Sequence, residues 1–120
     1  MQYMLMFYVT PDDLAKYGDE RAEAHKASWM AYVGAVYESG AVVSGDGLLP
    51  PSTATTLRVR GDKRQVQDGP FADSKEQLAG FFLVEVPDVD TALAWAARSP
   101  AAAAGSVEVR PVLPPMPGGA

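Results

Sequence analysis

Short, dense apolar runs alternate along the chain with two segments of helical period. Tyr3-Met4-Leu5-Met6-Phe7-Tyr8-Val9 is apolar, rich in aromatics and of strand length. Thr10-Pro11 follows with a helix N-cap and a first helical position, which predicts a brief helical turn to Tyr17 and Gly18. From Asp19 to about Ser39 the composition is helical, and Gly40 supplies the stop. At about 100° per residue, Ala22, Trp29, Val33 and Val36 share one face of that helix, with Glu20, Glu23, Ala27, Gly34 and Glu38 opposite. Ala41 to Leu48 reads as a second strand interrupted by Gly45-Asp46-Gly47 and closed by Pro50-Pro51, since proline cannot continue a ladder.

The second half repeats the plan. Thr55–Arg60 and Arg64–Asp68 flank Gly61-Asp62-Lys63, a turn of hairpin length, with Leu57, Val59 and Val66 expected to point inward. Gly80-Phe81-Phe82-Leu83-Val84-Glu85-Val86 is the strongest strand signal. Pro87-Asp88 then caps a helix over Val89–Arg98 that Pro100 is expected to end, with Ala101–Ala104 as a plain connection. Ser106–Val112 alternates Val107 and Val109 against Glu108 and Arg110 as a last strand, and the Pro/Gly tail 114–120 is expected to be disordered. Two strand-helix-strand halves around a hairpin predict an α+β, ferredoxin-like sandwich over residues 1–113, with both helices on one sheet face.

The other face is then bare. Yet the first strand is apolar on both sides, as is Phe81-Phe82-Leu83-Val84. Strands of this kind need cover on both faces, and two helices supply only one. A homodimer with its sheets face to face is the expectation.

Length and composition narrow the chemistry. The 120 residues make one domain with a sizeable core. There is no cysteine and a single histidine, so thiol nucleophiles, iron–sulfur ligation and any multi-His metal site within one chain are excluded. No metal and no cofactor are expected. A formal charge of −5 argues against nucleic acid, whose partners carry basic stripes. No run approaches the ~20 apolar residues of a membrane span, and the start lacks the basic region of a signal peptide, so a cytoplasmic location is expected.

His25 is the one side chain whose ordinary pKa, about 6.5, allows proton exchange near neutrality. The helical projection sets it at the edge of the apolar stripe, with Trp29 and Tyr32 one and two turns on, a position suited to a general acid or base. The plainer reading is a boundary histidine making one local hydrogen bond. Asp68-Gly69-Pro70-Phe71-Ala72-Asp73-Ser74-Lys75-Glu76 is a stiff turn with Gly69 held out of the helical region. It carries capping spacings at Asp73/Glu76 and Ser74/Gln77. As a site it would present Asp68 or Asp73 to orient His25 and Lys75 to attract an anionic oxygen. Gly45-Asp46-Gly47 offers backbone amides for an anion without being a Rossmann or phosphate-loop fingerprint.

Asp68-Gly69-Pro70-Phe71 followed by Ala72-Asp73-Ser74-Lys75-Glu76-Gln77-Leu78-Ala79-Gly80 resembles the hallmark of the YCII-related, or DGPF-domain, family. The Tyr3–Met6 start, Ala24-His25, Gly45–Leu48, Ala94–Ala97 and Gly105–Pro111 extend the resemblance over nearly the whole domain. It implies a dimeric α/β-barrel in small cytoplasmic bacterial proteins, with a histidine of the first helix paired to an aspartate, and a dehydrochlorinase-like branch. In one branch that aspartate precedes a proline after the second helix, where this chain has Ser99-Pro100, so Asp68 or Asp73 takes its place here. Two roles stay open. One is a metal-free lyase- or hydrolase-like enzyme using His25, with Trp29, Phe71, Gly45, Gly47 and Lys75 holding a small aromatic or enolic molecule. The other is a non-catalytic dimeric ligand-binding or regulatory module associated with sigma factors.

Overall fold

The computed structural model describes residues 1–71 and 74–115. It is a mixed α+β fold with antiparallel sheets and four α-helices among those residues. The elements are β1 (Gln2–Val9), α1 (Pro11–Ala15), a 3-10 turn (Lys16–Gly18), α2 (Ala22–Glu38), β2 (Val42–Gly47), β3 (Thr55–Arg60) and β4 (Lys63–Asp68). They continue with β5 (Gln77–Glu85), α3 (Val89–Ala97), α4 (Pro100–Ala104) and β6 (Ser106–Pro111). Four strands form the main sheet in the order β2-β5-β1-β6, every neighbouring pair antiparallel.

Strict alternation in β1 decides where the core sits. Tyr3, Leu5, Phe7 and Val9 are buried under the helices, while Met4, Met6 and Tyr8 lie half-buried on the opposite face. The register sets Met4 beside Leu83 and Met6 beside Phe81, so these side chains form one apolar band. Leu5, Val36 and Val84 are the fully buried centre of the helix side. The hydroxyl of Tyr32 donates to the Trp95 carbonyl at 2.9 Å, joining α2 to α3, and burial pushes that phenol up to about 12.

α2 begins at Ala22, three residues later than the composition suggests, because Asp19 is taken up by a turn in which its carboxylate accepts from the Arg21 amide at 2.8 Å. Gly40, with φ 80°, stops the helix as expected. Its inward stripe is His25, Trp29, Tyr32, Val33 and Val36. The histidine therefore lies in line with the stripe and not at its edge. Pro100, expected as a terminator, opens α4: Ser99 Oγ accepts from the Ala102 amide at 3.2 Å and Ala101 is buried.

The hairpin departs most from expectation. β3 and β4 pair with one another from Thr55–Asp68 to Arg60–Lys63 and form a separate two-stranded sheet. Leu57, Val59 and Val66 are exposed, since no second layer lies beneath them among the described residues. The base of this arm is closed by the Gly69 amide on the Ala54 carbonyl, 2.7 Å, and by Thr56 Oγ1 on the Gly69 carbonyl, 2.8 Å. Gly69 adopts φ 98°, the positive value that the Asp-Gly-Pro order calls for. After the arm, Ser74 Oγ donates to the Glu76 carbonyl and Gln77 Nε2 to the Ser74 carbonyl, a turn that enters β5 directly without a helix. Asp73, with its capping spacing, and the tail residues 116–120 lie outside the described residues.

Candidate functional site

A cavity of about 360 Å³ opens between α2 and the β2–β5 side of the main sheet. Its walls are aromatic because of how the core rings meet. Phe7 touches Trp29, Tyr32 and Phe82 edge to face, at centroid distances of 5.4, 5.9 and 5.7 Å. Rings packed at right angles hold each other by their quadrupoles and leave a slot beside them. Tyr37 and Tyr17 complete the aromatic wall, and Gly45, Asp46 and Gly47 of the edge strand form the opposite rim. Glycine is required at position 45: a Cβ there would fall on the Phe82 ring and lie 2.7 Å from the Phe81 carbonyl oxygen.

His25 lies behind one wall of this cavity. Its ring stands edge to face with Tyr17 at 4.9 Å and 88°, and Tyr17, itself largely exposed, is the residue that lines the cavity. The imidazole is 9% exposed, and its Nε2 is buried without a hydrogen-bond partner. Burial, helped by the positive charge of Lys16, holds its pKa below the ordinary value and keeps it neutral.

The segment that carries Tyr17 is tied at both ends. Thr10 caps α1 through the Asp13 amide while the Asp13 carboxylate reaches back to the Thr10 amide, a reciprocal box. Asp13 is buried and accepts from Lys16 Nζ at 2.8 Å. Burial alone would raise its carboxyl, but the Lys16 and Thr10 hydrogen bonds and the Lys16 charge outweigh that and hold it below the ordinary value. Arg21 then bonds both Asp12 and Asp19, at 3.0 and 2.7 Å, fastening the segment to the start of α2.

The residues singled out from sequence divide between these places. Trp29, Gly45 and Gly47 line the cavity, and His25 lies one ring behind it. Asp68 is exposed at the end of β4, opposite Thr55, and among the described residues the carboxylate whose charge acts on the imidazole is Asp13. Phe71 is 78% exposed and lies under the Arg58 guanidinium at 5.2 Å, away from the cavity wall. Lys75 borders a separate open cleft with Tyr8, Ser106 and Glu108. Asp73 lies outside the described residues. Asp13, Lys16 and Tyr17 were missed, although Thr10-x-x-Asp13 has capping-box spacing and Lys16 follows Asp13 at helical distance. Ser99 fills the position before proline with a helix cap. Among the described residues no group of three or more His, Asp or Glu could hold a metal ion, and no helix is long and apolar enough to cross a membrane.

The model of the YCII-related domain matches residues 1–115. The chain belongs to the YCII-related family. A curated relative, the uncharacterized protein R00369 of Rhizobium meliloti (strain 1021), is 33% identical over 120 residues, covering 98% of this chain and 97% of that protein. Among solved structures, 5-chloro-2-hydroxyhydroquinone dehydrochlorinase (TftG) from Burkholderia phenoliruptrix AC1100, in complex with 2,5-dihydroxybenzoquinone, is similar with a TM-score of 0.56. It shares 15% identity, and the likeness covers 94% of each chain, so what the two molecules share here is the fold.

Proposed function

We propose that this YCII-related protein is a small-molecule enzyme, lyase- or hydrolase-like, in which His25 moves a proton on a flat aromatic or enolic ligand. The observation that carries this reading is a buried, neutral imidazole with an unused Nε2, separated by one exposed ring from an aromatic cavity of about 360 Å³. That volume falls in the range of small-ligand sites, and edge-on rings suit a planar guest. A neutral imidazole accepts a proton from a ligand C–H or O–H once Tyr17 swings aside. The bonding pair left behind forms a double bond as a leaving group departs, or rests on an oxygen facing the Gly45–Gly47 rim. Asp13 lies close enough for its charge to favour the imidazolium so formed. Lys75 lines a different cleft and not this cavity, so the glycine rim takes the anion-stabilising role. The solved neighbour supports the ligand class, since the protein named a dehydrochlorinase was captured with a dihydroxybenzoquinone.

The same reading includes a ferredoxin-like half-barrel completed by a second copy. Its support is the strand order β2-β5-β1-β6 and a molecule only 18 Å thick, which holds one helix layer on one sheet and leaves the half-buried Met4, Met6, Phe81, Leu83 band with no element over it among the described residues.

The test is a panel of dehydrochlorination, hydrolysis and isomerisation assays on chlorinated hydroxyquinols and related enols, comparing wild type with His25→Ala. Removal of a positioned base is expected to lower the rate by about 10²–10⁴-fold. Activity that survives His25→Ala undiminished rules the base out. Saturable binding of 2,5-dihydroxybenzoquinone with no turnover of any substrate assigns the non-catalytic ligand-binding role instead.

A further inference from the structure

The β3–β4 arm is amphipathic in a way nothing among the described residues uses. Side chains alternate across a strand, and cross-strand partners share a face. The pairs Leu57–Val66 and Val59–Arg64 therefore put Leu57, Val59 and Val66 on one side with Arg64. Arg58, Arg60 and Lys63 lie on the other side. The three apolar residues are 51, 54 and 61% exposed. A lone two-stranded ribbon is marginal in water without packing on one face.

Charge says what covers it. Residues 55–68 hold four Lys or Arg and two Asp, net +2, so the remaining residues carry −7 of the total −5. The uncovered face of the main sheet has the matching pattern. Its apolar band of Met4, Met6, Tyr8, Phe81 and Leu83 is bordered by Asp46, Glu85 and Glu108, with Arg110 a basic member by register and Lys75 sharing the cleft beside Tyr8 and Glu108. Glu85 lies 3.5 Å from the N-terminal amine and Glu108 only 3.9 Å from Arg110, both exposed pairs that leave the carboxylates open to a better partner. The molecule is also extended, with a radius of gyration of 16.5 Å, against about 13–14 Å for a compact domain of this length.

We propose that the arm is a clasp for a second copy of this chain. Its Leu57, Val59, Val66 stripe packs on the margin of the partner's apolar sheet face, and its basic residues meet that face's acidic border. This rests on the homodimer reading and adds to it a specific part that holds the two copies together.

The experiment measures the dimer dissociation constant by sedimentation at two salt concentrations for wild type, Leu57→Lys/Val66→Lys and Arg60→Glu/Arg64→Glu. Circular dichroism checks that each variant folds. A photoreactive residue at position 59 serves as an independent probe, needing no destabilising change. The expected result is a wild-type dimer, at least tenfold weaker in both variants, with the loss in the charge variant shrinking at high salt, and a cross-linked species of twice the chain mass. A wild-type dimer whose affinity the variants leave unchanged, or cross-links confined to one chain, overturns the clasp while leaving the dimer standing. A monomeric wild type overturns both.

Discussion

His25 sits where a titratable group is least comfortable, in line with the apolar stripe of α2 and with Nε2 unpartnered. Because its folded pKa lies below the ordinary 6.5, the unfolded chain binds the proton more readily than the native one. The contribution is fully present above about pH 6.5 and is lost as the pH falls from there toward the lower folded value. Wild-type stability from urea denaturation is therefore expected to drop between pH 7.5 and 5.5. His25→Gln should flatten that part of the profile, and an unchanged slope in the variant would show that other groups cause it. The ring over the histidine has a separate expected effect. Tyr17 is exposed and makes no side-chain hydrogen bond among the described residues, so Tyr17→Ala should leave the melting temperature within a few degrees of wild type. It should also make the imidazole react faster with diethyl pyrocarbonate, and equal rates would remove Tyr17 as the cover.

At the scale of elements, the sheet is built from strands that each do one mechanical job. Leu5 in β1 is wholly buried and touches the centre of the core, so Leu5→Ala is expected to cost about 2–5 kcal/mol, read as a fall in the urea midpoint. At the cavity rim the constraint is backbone space. Gly45→Ala should destabilise and narrow the cavity, because its Cβ collides with the Phe82 ring and the neighbouring carbonyl; a neutral variant would mean that β2 slides freely there. These elements were legible in the sequence because dense apolar runs and proline or glycine stops dictate local structure: β1, β5, α2, α3 and the hairpin turn all lie close to where periodicity puts them. What could not be read was direction in space. The hairpin alternation is identical whether its apolar side faces a core or solvent, so Leu57, Val59 and Val66 read as inward. Likewise, a loop rich in Asp, Lys and Phe signals a site by composition, yet Asp68, Phe71 and Lys75 do not line the aromatic cavity. The carboxylate that acts on His25, Asp13, comes from a turn twelve residues earlier, and only the path of the chain through α1 brings it there.

The whole molecule is a plate of 49 × 47 × 18 Å with helices on one side and a band of methionine, phenylalanine and leucine on the other. An apolar band of that kind is more costly to leave in water than a typical monomer surface, and the −5 charge of each copy works against aggregation without covering it. If a second copy covers the band, folding and association are linked, and the apparent stability must depend on protein concentration. The wild-type melting temperature is therefore expected to rise by several degrees between about 2 and 200 μM protein, as mass action favours the dimer. Met6→Lys places a charge at the middle of the band, opposite Phe81 in the register, without touching the helix-side core. It should abolish the concentration dependence and yield a monomer that keeps its secondary structure. A wild-type melting temperature that stays constant over that range would show that the band faces something other than a second copy, and the half-barrel reading would fall with it.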